Sequence, residues 1–233
     1  MQPQAVLDLH NTCSGRIFMF GSGPSLRTES ALKHLAKEAT FSCNALPEWG
    51  DLPFVPTYHA LADTFPQDID RYIYPELKMK RFWAWRTPVE HDWFQWVDYA
   101  SYSGGVFADG MVGLGDTLPK IVHGGTTPLT MIQLAAWMGY REFYMVGVDI
   151  TSRGQCWDSK IDRNLGHRLR NRILKSAAAL RATLEASGGN LVDCTFGGCM
   201  NETRRVNDDH DLHNGLPIPP LEFKPLKEVL SAS

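Results

Sequence analysis

The stretch TTPLTMIQLAAWMGYREFYMVGVDI, residues 126–150, decides the fold class. Its first part predicts a helix over residues 126–140, because Pro128 suits the first helical turn and Gly139 supplies a stop. Its second part, residues 142–148, is rich in β-forming side chains and predicts a buried strand. A helix that leads directly into a buried strand is the repeating unit of a parallel α/β sheet.

The same alternation extends outward from this stretch in both directions. Short apolar runs that end at glycine or at polar residues predict further strands over residues 16–20, 40–44, 57–62, 80–85 and 191–194. Two further helices are expected, one from Ser25 to about residue 37 and one over the basic stretch 168–186. The sequence therefore predicts an α/β fold, a Rossmann-like and mostly parallel sheet with helices on both faces.

The length of 233 residues is expected to form a single domain over residues 1–206. Residues 87–118 are aromatic and glycine-rich with no clean period, and we interpret them as irregular structure with a short helix that forms a lid or insertion. Residues 207–233 are proline-rich and are expected to form a tail packed on the surface.

Composition narrows the class of protein. A net charge of −3 argues against a protein dominated by nucleic-acid binding, and 43% hydrophobic with 21% charged residues excludes a disordered chain. Five cysteines without a CxxC pair favour a reducing compartment. No signal peptide is recognised and no apolar run is long enough to span a bilayer, so we expect a cytoplasmic protein without a membrane span. A homo-oligomer is compatible with the sequence.

Candidate site residues follow the predicted strands, because parallel sheets bind ligands outside the carboxyl ends of their strands. The turn GSGPS after the first strand has small residues and opens a helix, which suits a nucleotide phosphate, although a tight turn without a ligand is the alternative. Asn44 could read a base or a ribose hydroxyl, or simply form an Asx turn. The expected nucleotide-binding residues are Gly21, Ser22, Gly23, Pro24, Ser25, Asn44, Thr126 and Thr127.

Two aspartates also end predicted strands. Asp63 could hold a metal or a sugar hydroxyl, or could cap the segment that follows. Asp149 could orient a ligand or stabilise its own turn. Thr126 and Thr127 follow two glycines at the start of the strongest helix, where they could bind an anion or a sugar, or could only cap the helix.

His167 differs from the other seven histidines because a basic segment surrounds it in the sequence. An imidazole is an ordinary general base near neutral pH, and nearby cations suit an anionic substrate. The alternative is a solvated helix face, which is what most charged runs are. The surrounding basic residues are Lys160, Arg163, Arg168, Arg170 and Arg172.

Four motifs together resemble one group of proteins: GSGPSL after the first strand, CN after the second, AD after the third, and the block 126–150. The group is the bacterial sialyltransferases that extend lipooligosaccharide from CMP-sialic acid. The same motifs are similar to a broader family that includes archaeal pterin diphosphokinases and flagellin glycosylation proteins. The resemblance covers roughly residues 16–195.

This resemblance implies roles for individual residues. Asn44 and Thr127 would touch the nucleotide, and His167, in Gly-His before the last long helix, would be the general base. The chain departs from the group at three positions: Ser22 stands where an asparagine is usual, and Thr151 and Trp157 replace two tyrosines that hold the departing phosphate. The substrate or phosphate contacts would then come from Asp63, Asp149, Thr151, Arg153, Trp157, Lys160 and Arg163.

The function implied by the resemblance is transfer of a sugar from a CMP-sugar, or a related nucleotide sugar, to a glycan hydroxyl. His167 would be the catalytic base, no cofactor would be required, and the setting would be bacterial surface glycan biosynthesis. One alternative is a Mg²⁺-dependent diphosphokinase of the 6-hydroxymethylpterin type, for which Asp63 and Asp149 would matter. Another is a non-catalytic nucleotide-binding accessory protein. Nucleic acid is not an expected partner.

Overall fold

The computed structural model describes most of the α/β core of the chain. The described residues are 4–62, 64–85, 90–100, 121–122, 125–150, 156, 167–196, 200, 212–213, 216–217 and 220–232. No helix in the described part of the chain has both the length and the apolar character needed to cross a bilayer.

Eleven strands lie within these ranges. They are β1 (Arg16–Phe20), β2 (Thr40–Cys43), β3 (Tyr58–Ala62), β4 (Lys80–Trp85), β5 (Gln95–Ala100), β6 (Ile121–Val122), β7 (Glu142–Val146), β8 (Asn190–Asp193), β9 (Leu212–His213), β10 (Leu216–Pro217) and β11 (Glu222–Phe223). The α-helices are α1 (Gln4–Leu7), α2 (Thr127–Met138), α3 (His167–Ala186) and α4 (Leu226–Ser231). Shorter 3₁₀ helices span Pro24–Thr28, Ser30–Lys37, Leu46–Glu48 and Pro66–Tyr72.

Nine of these strands form one sheet in the order β11-β8-β7-β1-β2-β3-β4-β5-β6. Every pairing within it is parallel. The chain moves outward from β1 to β6 and then returns, so that β7 pairs with the free side of β1. The predicted α/β fold with a mostly parallel sheet is confirmed, and its topological switch point lies between β1 and β7.

Two apolar layers cover the two faces of the sheet. Ile17 and Met19 of β1 pack in one cluster with α2 and α3, whereas Phe18 and Phe20 pack in the other with the 3₁₀ helices and α4. The alternation follows from the two-residue period of a strand. Every residue of α2 is buried, which suits a helix that is apolar on all its sides.

The continuous helix expected from Ser25 to residue 37 is wrong. The structure has two 3₁₀ helices, Pro24–Thr28 and Ser30–Lys37, separated at Glu29. Glu29 is extended, with φ −82° and ψ 95°, and its carboxylate accepts the Ala31 N–H at 2.8 Å. This cap starts the second helix afresh, which explains the break.

Two other segments are more regular than expected. Gln95–Ala100, which was interpreted as irregular, forms strand β5 and extends the sheet beside β4. Its Trp, Val and Tyr side chains favour a strand, and that signal was outweighed by the surrounding glycines and aromatics. Residues 87–89 and 101–118 of the expected lid lie outside the described residues. In the proline-rich tail, β11 joins the sheet and Leu226 of α4 is fully buried, so this end contributes to the core.

Candidate functional site

The switch point brings together the segments that follow β1, β2 and β7. The turn at residues 21–25 follows β1, Asn44 follows β2, and residues 147–150 follow β7. Because these three strands are parallel neighbours, their carboxyl ends meet at one edge of the sheet. This edge is the candidate site, and α2 begins there with Thr127.

The turn after β1 uses its amides to hold the end of β7. Gly21 N–H donates to the Val146 carbonyl at 3.0 Å, and Gly23 N–H donates to the Gly147 carbonyl at 2.8 Å. Ser25 N–H donates to Asp149 Oδ1 at 3.2 Å. The turn was expected to suit a nucleotide phosphate, but the amides of Gly21, Gly23 and Ser25 already donate to partners within the protein.

The two glycines of the turn are required by packing. A Cβ at Gly21 would overlap the Gly147 carbonyl, and a Cβ at Gly23 would overlap the Asp149 carboxylate. Only glycine allows this close approach between the two loops. The small residues suggested that a ligand occupies the space beside this turn. That space is instead occupied by Gly147 and Asp149, which follow β7.

Asp149 closes this turn from the β7 side. Its Oδ2 accepts the Ser25 hydroxyl at 2.7 Å, and its Oδ1 accepts the Ser25 amide. Burial raises the pKa of the Asp149 carboxyl, and the hydrogen bonds from Ser25 oppose that rise. Of the two roles expected for Asp149, the structure shows turn stabilisation.

Backbone strain is found at the same edge. Asn44 has φ 48° and Ile150 has φ 49°, both in the left-handed region. Asparagine tolerates this conformation, but a β-branched isoleucine is rarely found there, and each such residue costs roughly 1–2 kcal/mol. Strain of this kind clusters at functional sites in proteins.

Asn44 and Thr127 lie in contact across the edge. Asn44 Nδ2 donates to Thr127 Oγ1 at 3.3 Å, and the backbone N–H of Asn44 donates to the Ala60 carbonyl at 3.1 Å. Asn44 thus joins β2 to the first residue of α2, 83 positions away in the sequence. Thr126 occupies the N-cap position of α2, but its side chain makes no capping hydrogen bond, so the capping alternative is wrong for Thr126.

His167 is the first residue of α3. This helix returns the chain from the carboxyl end of β7 to the start of β8, and such a crossover helix begins at the carboxyl edge of a parallel sheet. The backbone of His167 therefore starts at the edge that carries Asn44 and Thr127. The expected contacts that lie outside the described residues are Asp63, Thr151, Arg153, Trp157, Lys160 and Arg163.

Cys156 and Arg27 were not singled out in the sequence, yet both support the turn. The Cys156 amide donates to the Ser22 carbonyl at 2.9 Å, and Arg27 Nε donates to the Cys156 carbonyl at 2.5 Å. No local sequence signal marks this link, because it joins segments about 130 positions apart.

Within the described ranges, no three His, Cys, Asp or Glu side chains gather as a metal-ligand set.

No family model and no curated protein matches this chain. It is similar to the sialyltransferase CstII from Campylobacter jejuni in complex with the substrate analogue CMP-3FNeuAc, at 15% identity over 90% of this chain and 88% of that chain, with a TM-score of 0.42. It is also similar to CST-II in complex with a trisaccharide acceptor and CMP, at 16% identity over 89% and 87%, with a TM-score of 0.43.

A third similar structure is the MAf glycosyltransferase from Magnetospirillum magneticum AMB-1. The identity is 16% over 94% of this chain and 35% of that chain, and the TM-score is 0.49. The chain is thus similar to these solved structures at low identity and over most of its own length.

Proposed function

We propose that this protein is a glycosyltransferase of the sialyltransferase type, which moves a sugar from a CMP-sugar to a hydroxyl of a glycan. The bond from the sugar to the CMP phosphate breaks, the bond from the sugar to the acceptor oxygen forms, and CMP leaves. The acceptor hydroxyl loses its proton to a general base. The reaction in this form uses no metal, and we place it in the cytoplasm in the synthesis of a bacterial surface glycan.

The observation that carries the proposal is the hydrogen bond from Asn44 to Thr127. These are the two positions that the motif resemblance assigns to the nucleotide, and the fold brings them into contact at the switch-point edge. An amide and a hydroxyl together offer donors and acceptors for a base or a ribose. The left-handed backbone of Asn44 fixes the direction of its side chain at a local cost in energy.

The phosphate would lie between the start of α2 and the segment after β7. The N-terminus of a helix favours an anion, and the Thr126 side chain leaves this one uncapped. Because the charge on the leaving phosphate grows in the transition state, cations nearby would stabilise it. The candidates for the phosphate and substrate contacts remain Asp63, Thr151, Arg153, Trp157, Lys160 and Arg163.

His167 is the proposed general base. Its position at the start of α3, a crossover helix of the sheet, supports this role, and an imidazole accepts a proton without strong tuning. Both carboxylate oxygens of Asp149 already accept hydrogen bonds from Ser25. This argues against Asp149 as a ligand of Mg²⁺, and therefore against the diphosphokinase alternative.

A thermal-shift panel tests the nucleotide site. CMP should raise the Tm of the wild-type protein with or without Mg²⁺. Thr127→Val removes the hydroxyl but keeps the side-chain shape, and it should weaken CMP binding by roughly three- to tenfold, as should Asn44→Ala. Thr130→Val is the matched control, because the buried Thr130 hydroxyl on the same helix has no hydrogen-bond partner within the described residues.

The outcome decides between the candidate functions. A CMP shift that Thr127→Val reduces and Thr130→Val retains supports the proposal. A shift with ATP that depends on Mg²⁺, and no shift with CMP, would overturn it in favour of the diphosphokinase. A CMP shift without sugar transfer to any glycan tested would favour the accessory protein.

A further inference from the structure

A cavity opens at the same edge of the sheet, on the face opposite α2. It has a volume of about 370 Å³, which is within the ~300–1,000 Å³ range of small-molecule sites. It lies between the first 3₁₀ helix and the ends of β7, β8 and β11. Its lining residues are Ser25, Leu26, Thr28, Glu29, Val146, Gly147, Cys194, Phe196, Phe223 and Pro225.

Two aromatic rings stand at this cavity with much of their surface in water. Phe196 is 78% exposed and Phe223 is 38% exposed. Their centroids are 6.5 Å apart and the rings are inclined at 60°. A pair of exposed rings beside a cavity marks a binding surface more often than a single exposed ring does. Flat apolar rings of this kind stack on the C–H face of a pyranose.

The polar part of the lining is negative. Glu29 is held in place, since its Oε1 accepts the Ala31 N–H at 2.8 Å. Burial, with the charges of Asp193 and Glu29, raises the pKa of the Cys194 thiol to about 12, although Lys224 opposes the rise. The thiol therefore stays protonated, and the only charge inside the described lining is that of Glu29.

We propose that this cavity, which we call the sugar cavity, binds a neutral pyranose unit of the acceptor glycan. The sugar stacks on Phe196 and Phe223, and its hydroxyls donate to the Glu29 carboxylate. The negative charge of Glu29 repels a phosphate or a sialic acid carboxylate, so the donor nucleotide sugar is excluded. That the bound sugar is an acceptor rests on the proposed function, whereas the binding of a neutral sugar does not.

The position of the cavity suits an acceptor that is longer than one sugar. Ser25 lines the cavity and donates to Asp149, so the cavity adjoins the turn at the switch point. The nucleotide contacts at Asn44 and Thr127 lie at the same sheet edge, on the side of α2. A glycan anchored in the sugar cavity can therefore extend over this edge toward the donor.

Ligand-observed NMR by saturation transfer tests the proposal. The probes are methyl β-galactoside and lactose as neutral sugars and galactose 6-phosphate as a charged one. The wild-type protein should bind the neutral probes and not the phosphate. Phe196→Ala and Phe223→Ala should each weaken lactose binding by roughly three- to tenfold. Glu29→Gln keeps an acceptor for Ala31 but should weaken binding by about tenfold.

Phe65→Ala is the matched control, because it removes another exposed phenyl ring from outside the cavity lining and should leave lactose binding unchanged. Absence of lactose binding to the wild type, equal binding of galactose 6-phosphate, or unchanged binding in both aromatic variants would each overturn the sugar cavity. The CMP thermal shift on the same samples separates the two proposals. If lactose binds but CMP does not shift the Tm, the proposal that the sugar cavity binds a neutral sugar is retained, and the proposal that this sugar is the acceptor is rejected.

Discussion

Asp149 is a carboxylate that folding removes from water and places against a single serine. Two hydrogen bonds from Ser25, at 2.7 Å and 3.2 Å, compensate part of the lost hydration. The part of the desolvation cost that is not compensated raises the pKa of the Asp149 carboxyl. The pair joins the turn after β1 to the end of β7, and so a buried charge supports the geometry of the switch point.

Asp149→Asn is expected to stabilise the protein at neutral pH or leave its stability unchanged. A raised pKa means that the folded protein holds this proton more tightly, so its stability falls as the pH rises from about 3.8 through the raised value. Asparagine cannot ionise, and it can still accept from the Ser25 amide and donate to the hydroxyl. Urea unfolding at pH 4 and pH 7 measures this change.

The exposed Asp51 supplies the control, since Asp51→Asn should not alter the pH dependence in this way. A loss of stability in Asp149→Asn that is greater at pH 7 than at pH 4 would show that the carboxylate is stabilising when charged, against this prediction.

His167→Ala tests the proposed base. Loss of a general base should lower turnover by roughly 10²–10⁴-fold, because the acceptor hydroxyl must then lose its proton to water. CMP binding and the Tm should change little, since the proposed role is in the chemical step. Initial rates of sugar transfer and CMP thermal shifts measure the two effects. Full activity in a well-folded variant would remove His167 from the mechanism.

At the scale of elements, the turn after β1 and the end of β7 behave as one unit. Three amides of the turn are bonded to β7 and its following loop, and two glycines permit the contact. The turn was expected to bind a phosphate. A glycine-rich turn before a helix has the same local sequence whether it contacts a ligand or another loop, so the sequence alone does not distinguish the two. The partner is set by distant residues, and Ser25 and Asp149 are 124 positions apart.

Gly21→Ala is expected to destabilise the protein. The added Cβ overlaps backbone atoms of Gly147, which can move aside only if β7 shifts. Overpacking of this kind costs about 1–3 kcal/mol, or roughly 2–12 °C in Tm. Gly50→Ala is the matched control, because a Cβ there meets no atom within 4 Å. A Tm for Gly21→Ala equal to that of Gly50→Ala would contradict the close packing of the two loops.

For the fold as a whole, the positions of most core strands and of the two long helices along the chain were predictable, because their signals are local. Strands β1 and β4 have the bounds that the sequence predicted, and α2 ends at Met138, directly before the predicted stop at Gly139. The tail strand β11 was missed, since two residues carry no periodic pattern. Among the site residues, positions at strand ends could be predicted, but a contact such as that of Ser25 with Asp149 depends on tertiary structure.

The core also contains a group that limits the stability of the whole fold in acid. His59 of β3 is buried, and its Nδ1 lies 3.0 Å from the Ser42 hydroxyl. Burial and then the charge of Arg81 lower the pKa of His59 to about 3. The unfolded chain binds this proton near pH ~6.5, so stability is lost as the pH falls from about 6.5 toward 3.

His59→Phe should remove this part of the acid sensitivity. The phenyl ring cannot take a proton, and Ser42 can still donate to the Tyr58 carbonyl at 3.3 Å. Urea unfolding at pH 7, 5.5 and 4 should show a shallower loss of stability in the variant than in the wild type. Parallel pH profiles would contradict this prediction, because they would mean that His59 binds its proton equally well in the folded and unfolded states.

The return of the chain to β1 also bears on how fast this protein can form. Glu142 of β7 pairs with Arg16 of β1, 126 positions earlier, whereas β2 to β5 each join a strand that precedes them closely. Closing so long a loop costs entropy before any pairing compensates it, and folds with such distant contacts form slowly. Until β7 arrives, β1 has a free edge beside exposed aromatic surface. The time spent with that edge open is the interval in which nascent or refolding chains can aggregate.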